Sequence, residues 1–271
     1  MAEAVRYAVE DGVAWLVIDR PEARNAINRA VAEGLWEGFR RFEADPAAAV
    51  LVLTGAGDAA FCAGADLKEM AALGMTVPPR DMAPHLGHNL QVSKPVIAAV
   101  NGVALGGGFL LAQMCDLCVA AESASFGITE ARWGRGAPWA APLPWLVPPR
   151  VALELLLTGE PIGARRAYEV GLVNLVVPDA ALRQEAARLA ATVAANAPLS
   201  VRAAKAMVYA SAERSRTDAF AEAERLWEPV YRSADAQEGP QAFREGTLFS
   251  LTDAKLTHVY IHGLNRYDVA P

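Results

Sequence analysis

The chain has few cysteines, no basic run and no apolar leader, and each shortage removes a class of protein. Three cysteines in 271 residues cannot supply the framework of a disulfide-stapled secreted domain. The first residues, MAEAVRYAVEDG, lack the apolar segment of a secretion signal. Together they lead us to expect a reducing, cytoplasmic setting. A formal net charge of −6 without clustered Lys and Arg argues against a nucleic-acid surface, which needs concentrated positive charge. Three common catalytic signatures are missing as well. No Gly-Lys-Ser/Thr follows the glycines at 102–108, and their spacing does not fit the dinucleotide fingerprint. No Gly-x-Ser-x-Gly elbow occurs anywhere.

One uncharged run, PVIAAVNGVALGGGFLLAQMC between Lys94 and Asp116, is about long enough to span a bilayer. Its Pro95, Asn101, Gln113 and four glycines would have to be absorbed in mid-span by a lipid-facing helix. A buried strand, a glycine turn and a buried helix account for the run better, so no membrane is expected.

What is present has the pattern of an α/β core. At 271 residues the chain can bury a sizeable core, as one α/β domain with an appendage or as two small domains. Strand-like Val5–Glu10 and Val13–Asp19 flank Asp11-Gly12 and predict a hairpin. Residues 29–43 carry Val31, Leu35, Trp36 and Phe39 at helical spacing. Short apolar strands at 49–53, 95–100 and 116–120 alternate with helices, which predicts a parallel sheet. Met75 to Pro84 is a proline-rich connector. From Val151 onward the pattern is almost all helical, with helices at 180–195, 200–212 and 217–230. The last stretch, 253–271, shows no readable pattern.

Two places bring glycine to the end of a buried strand: Gly64 within CAGADLK, and Gly106-Gly107-Gly108 at a helix start. Glycine permits sharp turns and close approach of a ligand to the main chain. Amides at a helix start are unpaired and carry partial positive charge. Two such loops side by side make an oxyanion hole, although a triple glycine also serves close helix–sheet packing. Glu130 follows the apolar stretch Ser125-Phe126-Gly127-Ile128-Thr129, where a desolvated carboxyl would have a raised pKa and could exchange a proton. The alternative is a helix cap or an ion pair with Arg132 or Arg135.

These residues resemble the crotonase superfamily, the enoyl-CoA hydratase/isomerase family. The matching segments are Arg24-Asn25-Ala26-Ile27-Asn28, Phe61 to Met70, and Lys94 to Gly102 with the following glycines. Ala124 to Gly127 with Glu130, Leu157-Thr158-Gly159 through Ala167 with Gly171-Leu172-Val173, and Glu238-Gly239 with Ala242-Phe243 also fit. The resemblance implies a crotonase-like ββα spiral core over residues 1–198 and a C-terminal helical trimerisation region over 199–271. It implies an acyl-CoA thioester as partner, with coenzyme A entering as part of the substrate and no other cofactor or metal. The assembly it implies is a homotrimer or a dimer of trimers. It places CoA near Arg24, Ala26, Ala63, Asp66, Leu67 and Lys68, oxyanion donors on the amides of Ala65 and Gly107, and proton transfer on Glu130.

One departure bears on the reaction. Hydratases of the family carry a second glutamate where this chain has Leu110. Leucine cannot hold a water, whereas moving a double bond from C3–C4 to C2–C3 needs one base. The stretch Gly134-Arg135-Gly136-Ala137-Pro138-Trp139 also resembles some single-glutamate isomerases. Isomerisation is therefore the expected chemistry. Hydration or another acyl-CoA dehydratase, hydrolase or decarboxylase reaction is the alternative, and a non-catalytic CoA- or RNA-binding member a further one.

Other residues have two readings each. Leu110, Trp133, Pro138, Trp139, His85 and His88 are candidates for the acyl pocket. Trp133, Trp139 and Trp145 are equally suited to core packing, and the two histidines to solvent. Cys115-Asp116-Leu117-Cys118 has half the spacing of a zinc site but no second pair, so core cysteines are expected.

Overall fold

A computed structural model describes residues 4–245. The chain divides into two compact units, Met1–Thr192 and Val193–Pro271.

The first unit opens with β1 (Val5–Glu10) and β2 (Val13–Ile18), an antiparallel hairpin turned at Asp11-Gly12 with φ of 48° and 80°. Helix α1 (Arg29–Ala44) starts on Asn28, whose side chain accepts from the Val31 amide, and buries Val31, Leu35, Phe39 and Phe42. Each such side chain contributes about 1.5–3 kcal/mol on burial. The buried Lys94 ammonium closes the other end of α1 by donating to the carbonyls of Phe42 and Asp45, where the helix dipole favours a cation. Next come β3 (Val50–Gly55), β4 (Ala60–Cys62) and α2 (Leu67–Ala72).

The uncharged run becomes β5 (Val96–Val100), β6 (Val103–Leu105) and the seven-residue α3 (Gly107–Gln113). No helix among the described residues is long and apolar enough to cross a membrane. Every side chain of β5 is buried, as expected of a strand covered on both faces. The order continues through β7 (Leu117–Ala121), β8 (Ser125–Gly127), α4 (Leu143–Leu146), α5 (Pro149–Thr158), β9 (Ile162–Gly163), α6 (Ala164–Glu169), β10 (Leu175–Val177) and α7 (Leu182–Ala194).

Two sheets result. The six-stranded one runs β1-β2-β3-β5-β7-β10 and is parallel from β2 onward. The four-stranded one runs β4-β6-β8-β9, with β9 alone antiparallel. The chain therefore alternates between sheets, β3 to β4, β5 to β6 and β7 to β8, which produces a spiral of turns. Two strands lie beyond Val151 in the stretch expected to be helical. One is β10, which edges the large sheet, and the other is β9.

The second unit holds α8 (Pro198–Ala212), α9 (Arg216–Tyr231) and α10 (Ala234–Glu245). Ser215 caps α9 by accepting from the Asp218 amide, and the Trp227 indole donates to the Met207 sulfur at 3.3 Å. The unpatterned stretch 253–271 lies outside the described residues.

Candidate active site

The segment before α1 and the segment before α2 are zipped together. Ala63 N donates to Arg24 O, Ile27 N to Gly64 O, and Asp66 N to Ile27 O. Arg20 spans the two by donating to Ala26 O at 2.8 Å and to the Asp66 carboxylate at 3.2 Å. All six residues expected near CoA therefore fall in one place. Arg24, Leu67 and Lys68 are solvent-exposed. Asp66 differs from the other five. Its Oδ1 caps α2 by accepting from the Lys68 and Glu69 amides, and its Oδ2 takes Arg20. Burial pushes its carboxyl pKa up, but the Glu69 and Lys68 amides and Arg20 outweigh that and hold it below the ordinary value. Its acceptors are committed to the fold.

Buried Asn25 supports the same corner. Its Oδ1 accepts from Arg20 N, and its Nδ2 donates to the carbonyls of Ala56 and Ala60. Asn101 holds the facing loop by donating from Nδ2 to Gly57 O and Ala60 O while its Oδ1 accepts from Gly55 N.

The two glycine loops do meet. A methyl placed on Gly64 would lie 3.3 Å from Gly107 N, and one placed on Gly107 would lie 3.7 Å from Ala65 N. Gly64 has φ of 94° and Gly106 has φ of 53° with ψ of −118°, conformations that glycine alone adopts without strain. Gly107 begins α3, so its amide is one of the helix-start donors with no intrahelical acceptor. The amides expected to bind one oxyanion are thus neighbours.

Glu130 is on the same spot. A methyl on Gly106 would sit 3.1 Å from its Oε1, so the carboxyl lies against the loop that presents Gly107. It opens a 3-10 turn, Glu130–Trp133, with Thr129 rather than Glu130 in the capping position. Burial raises its carboxyl pKa above the ordinary glutamate value, against a smaller lowering by its own backbone amide and the Trp139 side chain. Its Oε2 is buried without a hydrogen-bond partner among the described residues. Neither arginine neutralises it. Arg132 pairs with Glu160 instead, and the Arg135 Nη2 is buried without a partner among the described residues. A desolvated carboxyl beside two neighbouring amides has the elements needed to take a proton from a carbon next to a carbonyl, if both amides donate to that carbonyl oxygen.

Leu110 is 7% exposed and lies one turn into α3. The Trp139 ring lies 6.1 Å from that of Phe109. Pro138 is exposed beside it. Trp133 and Trp145 are 66% and 62% exposed, so core packing is corrected for both. The His85 and His88 rings pack against each other at 5.4 Å, tilted by 58°, within their own connector, where Asn89 Oδ1 takes the His85 amide. Burial lowers the His85 pKa, with His88 adding to the effect. Among the described residues no contact brings either histidine to Glu130. All three cysteines are buried, and burial pushes the Cys62 and Cys118 thiols up to about 12. Among the described residues no three His, Cys, Asp or Glu side chains gather as for a metal.

Gln113 is the residue that motif reading passed over. It is 7% exposed, and its Nε2 donates to the Trp139 carbonyl at 3.1 Å. The only sequence signal was a lone amide in an otherwise apolar helix.

Residues 8–253 match the family model described as enoyl-CoA hydratase/isomerase. The chain is 38% identical over 250 residues to (E)-benzylidenesuccinyl-CoA hydratase of Thauera aromatica, covering 89% of this chain and 96% of that protein. It is 36% identical over 255 residues to carnitinyl-CoA dehydratase of Proteus mirabilis, covering 90% and 97%. Among solved structures, an enoyl-CoA hydratase from Mycobacterium tuberculosis superposes with a TM-score of 0.86 at 38% identity, covering 92% of this chain and 99% of that one.

Proposed function

Because the chain belongs to the enoyl-CoA hydratase/isomerase family, we propose that it moves a proton on the acyl chain of a CoA thioester with Glu130 as its one acid–base group. The observation that carries this is the placement of a desolvated carboxyl against the Gly106-Gly107 loop, whose amide neighbours that of Ala65, with buried Leu110 where the resemblance puts a second carboxylate.

Double-bond migration follows most directly. Glu130 removes the C2 proton of a 3-enoyl-CoA, and the electron pair flows into the thioester carbonyl. The Ala65 and Gly107 amides hold the resulting dienolate oxygen. Protonated Glu130 then returns the hydrogen to C4, leaving the C2–C3 double bond. One carboxyl serves both steps because its raised pKa makes both protonation states accessible. CoA lies along Arg24, Ala26, Ala63, Leu67 and Lys68, with Asp66 shaping that corner through α2. No cofactor beyond the CoA of the substrate enters these steps. A homotrimer or dimer of trimers is the assembly in this reading, supported by the exposed Val208, Phe220 and Tyr231 on α8 and α9.

Hydration or dehydration is the second reading, favoured by the names of the relatives, which are hydratases and dehydratases. There Glu130 would handle both the C2 proton and the water at C3.

Ultraviolet absorbance of the conjugated product reports turnover of 3-enoyl-CoA, and mass spectrometry reports addition of labelled water to C3 of 2-enoyl-CoA. Isomerisation abolished by Glu130→Gln, with label entering C3 only in Leu110→Glu, is the expected result. Labelling of C3 by the unaltered enzyme without isomerisation would establish the second reading. Turnover untouched by Glu130→Gln would defeat both.

A further inference from the structure

We propose that Arg132 is a positioning residue for Glu130, holding the far side of the turn that Glu130 opens by pairing with Glu160. The inference rests on Glu130 as the acid–base group.

Glu130 stands at the head of a single 3-10 turn, Glu130–Trp133, none of whose residues is buried. Such turns are short and poorly hydrogen-bonded, so this one needs support from outside itself to hold a side chain still. On its N-terminal side the sheet gives that support. Strand β8 pairs with β6 and β9, and Ile128 is 1% exposed. Past Glu130 the surroundings change. Ala131, Arg132, Trp133 and Gly134 are all exposed, and the amides of Arg132, Gly134 and Arg135 donate back to the carbonyls of Thr129, Ala131 and Glu130.

Arg132 supplies the second attachment. Its guanidinium pairs with the Glu160 carboxylate, and its stem crosses the glycine that ends α5. A methyl on Gly159, whose φ is 65°, would lie 3.0 Å from Arg132 Cγ and 3.1 Å from its Nε. Glu160 is itself held, since its amide donates to Thr158 Oγ1 at 3.0 Å while that hydroxyl donates to Glu154 O at 2.6 Å. Two residues later Ile162 pairs with Phe126 of β8. The path closes on itself, from Phe126 through Glu130 to Arg132, across to Glu160, and through Ile162 back to Phe126. Glu130 lies between its two fastenings.

The pair is exposed, 42% for the Arg132 side chain and 71% for that of Glu160, and such pairs add little to global stability. Its consequence is local. A misplacement of about 1 Å near reacting atoms costs about 100-fold in rate, so a turn relaxing by part of that distance should cost on the order of tenfold.

The test uses the full chain and the thioester that it turns over. Arg132→Met keeps the stem without the charge, and Glu160→Gln removes the charge of the partner. Each should lower kcat about tenfold while KM stays within about twofold, the mark of an interaction that matters to the reaction rather than to binding. The double variant should go no lower, since both changes break one linkage. Arg132→Lys should recover most of kcat. Melting of all four variants should stay within about 2 °C of the original. With Glu130→Gln already in place, Arg132→Met should slow the residual reaction no further. Unchanged kcat in the single variants, additive losses in the double one, a further loss beside Glu130→Gln, or a melt lowered by more than about 5 °C overturns the proposal. Activity indifferent to Glu130→Gln would sink the parent reading instead.

Discussion

Replacing Gly106 with alanine tests the site at its tightest point. Gly106 has φ of 53° and ψ of −118°, outside the left-handed helical well that some side chains tolerate. Such a backbone costs a non-glycine residue about 1–3 kcal/mol, which corresponds to roughly 3–10 °C in Tm for a chain of this size. The added methyl would also meet Glu130 Oε1 at 3.1 Å and Glu130 Cδ at 3.6 Å. That oxygen is the end of a side chain and can move by a few tenths of an ångström, so folding survives, but the base no longer sits where the substrate presents its proton. A misplacement of about 1 Å near reacting atoms costs about 100-fold in rate, so a shift of a few tenths should cost on the order of tenfold. The comparison variant is Gly74→Ala. Gly74 has φ of 59° with nothing within 4 Å of the added methyl, so it suffers backbone strain alone. Thermal melts and steady-state kinetics on the active thioester should show both variants less stable and only Gly106→Ala slow. If folded Gly106→Ala keeps kcat within threefold of the original, the contact between this loop and the base is not what positions the chemistry.

Three further outcomes follow from the site. Glu130 has a raised folded-state pKa, so the folded state holds its proton more tightly than the unfolded chain, and stability falls as pH rises through that interval. Glu130→Gln should therefore melt higher than the original protein at pH 7, with the gain vanishing below the ordinary glutamate value of about 4.3; equal melts at both pH values would refute this. Asp66 is shifted the other way, so its contribution is present above the unfolded pKa and is lost as pH falls through the lower folded one. Asp66→Ala should cost about 1 kcal/mol at pH 7 from the lost cap, a deficit that calorimetry should find shrinking in acid. Arg135 buries a nitrogen without a partner among the described residues, and relieving an unmatched donor is neutral or favourable. Arg135→Met should melt no lower than the parent, and a fall of several degrees in differential scanning fluorimetry would contradict that.

The legible parts of the sequence were those with a strong local rule. Asp11-Gly12 announced its hairpin because the turn demands positive φ at both residues. The α1 boundary followed from Asn28 and the apolar stripe behind it. The glycine loops and Glu130 pointed to a common chemistry before any coordinate placed them together. The strands β4, β6, β8 and β9 span two or three residues each, too few for a period-two pattern to emerge. Strand β10 was hidden among helices because Leu175–Val177 gains its identity from pairing with β7, 54 or more residues earlier. Trp133 and Trp145 misled in the opposite direction, since indole area signals burial only where a surface exists to cover it.

The clamp made by Asn25 and Asn101 has a consequence for how the protein ages. Asn101 precedes Gly102, the pairing most prone in flexible peptides to lose its side-chain nitrogen through attack by the next amide. Here that nitrogen is held by Gly57 O and Ala60 O while the oxygen is held by Gly55 N, so the ring closure that deamidation requires is opposed from both sides. An aspartate formed there would turn an acceptor toward two carbonyls and expel the loop it used to grip. Deamidation at this one dipeptide thus becomes a slow clock, advancing only in molecules whose sheet has already come apart.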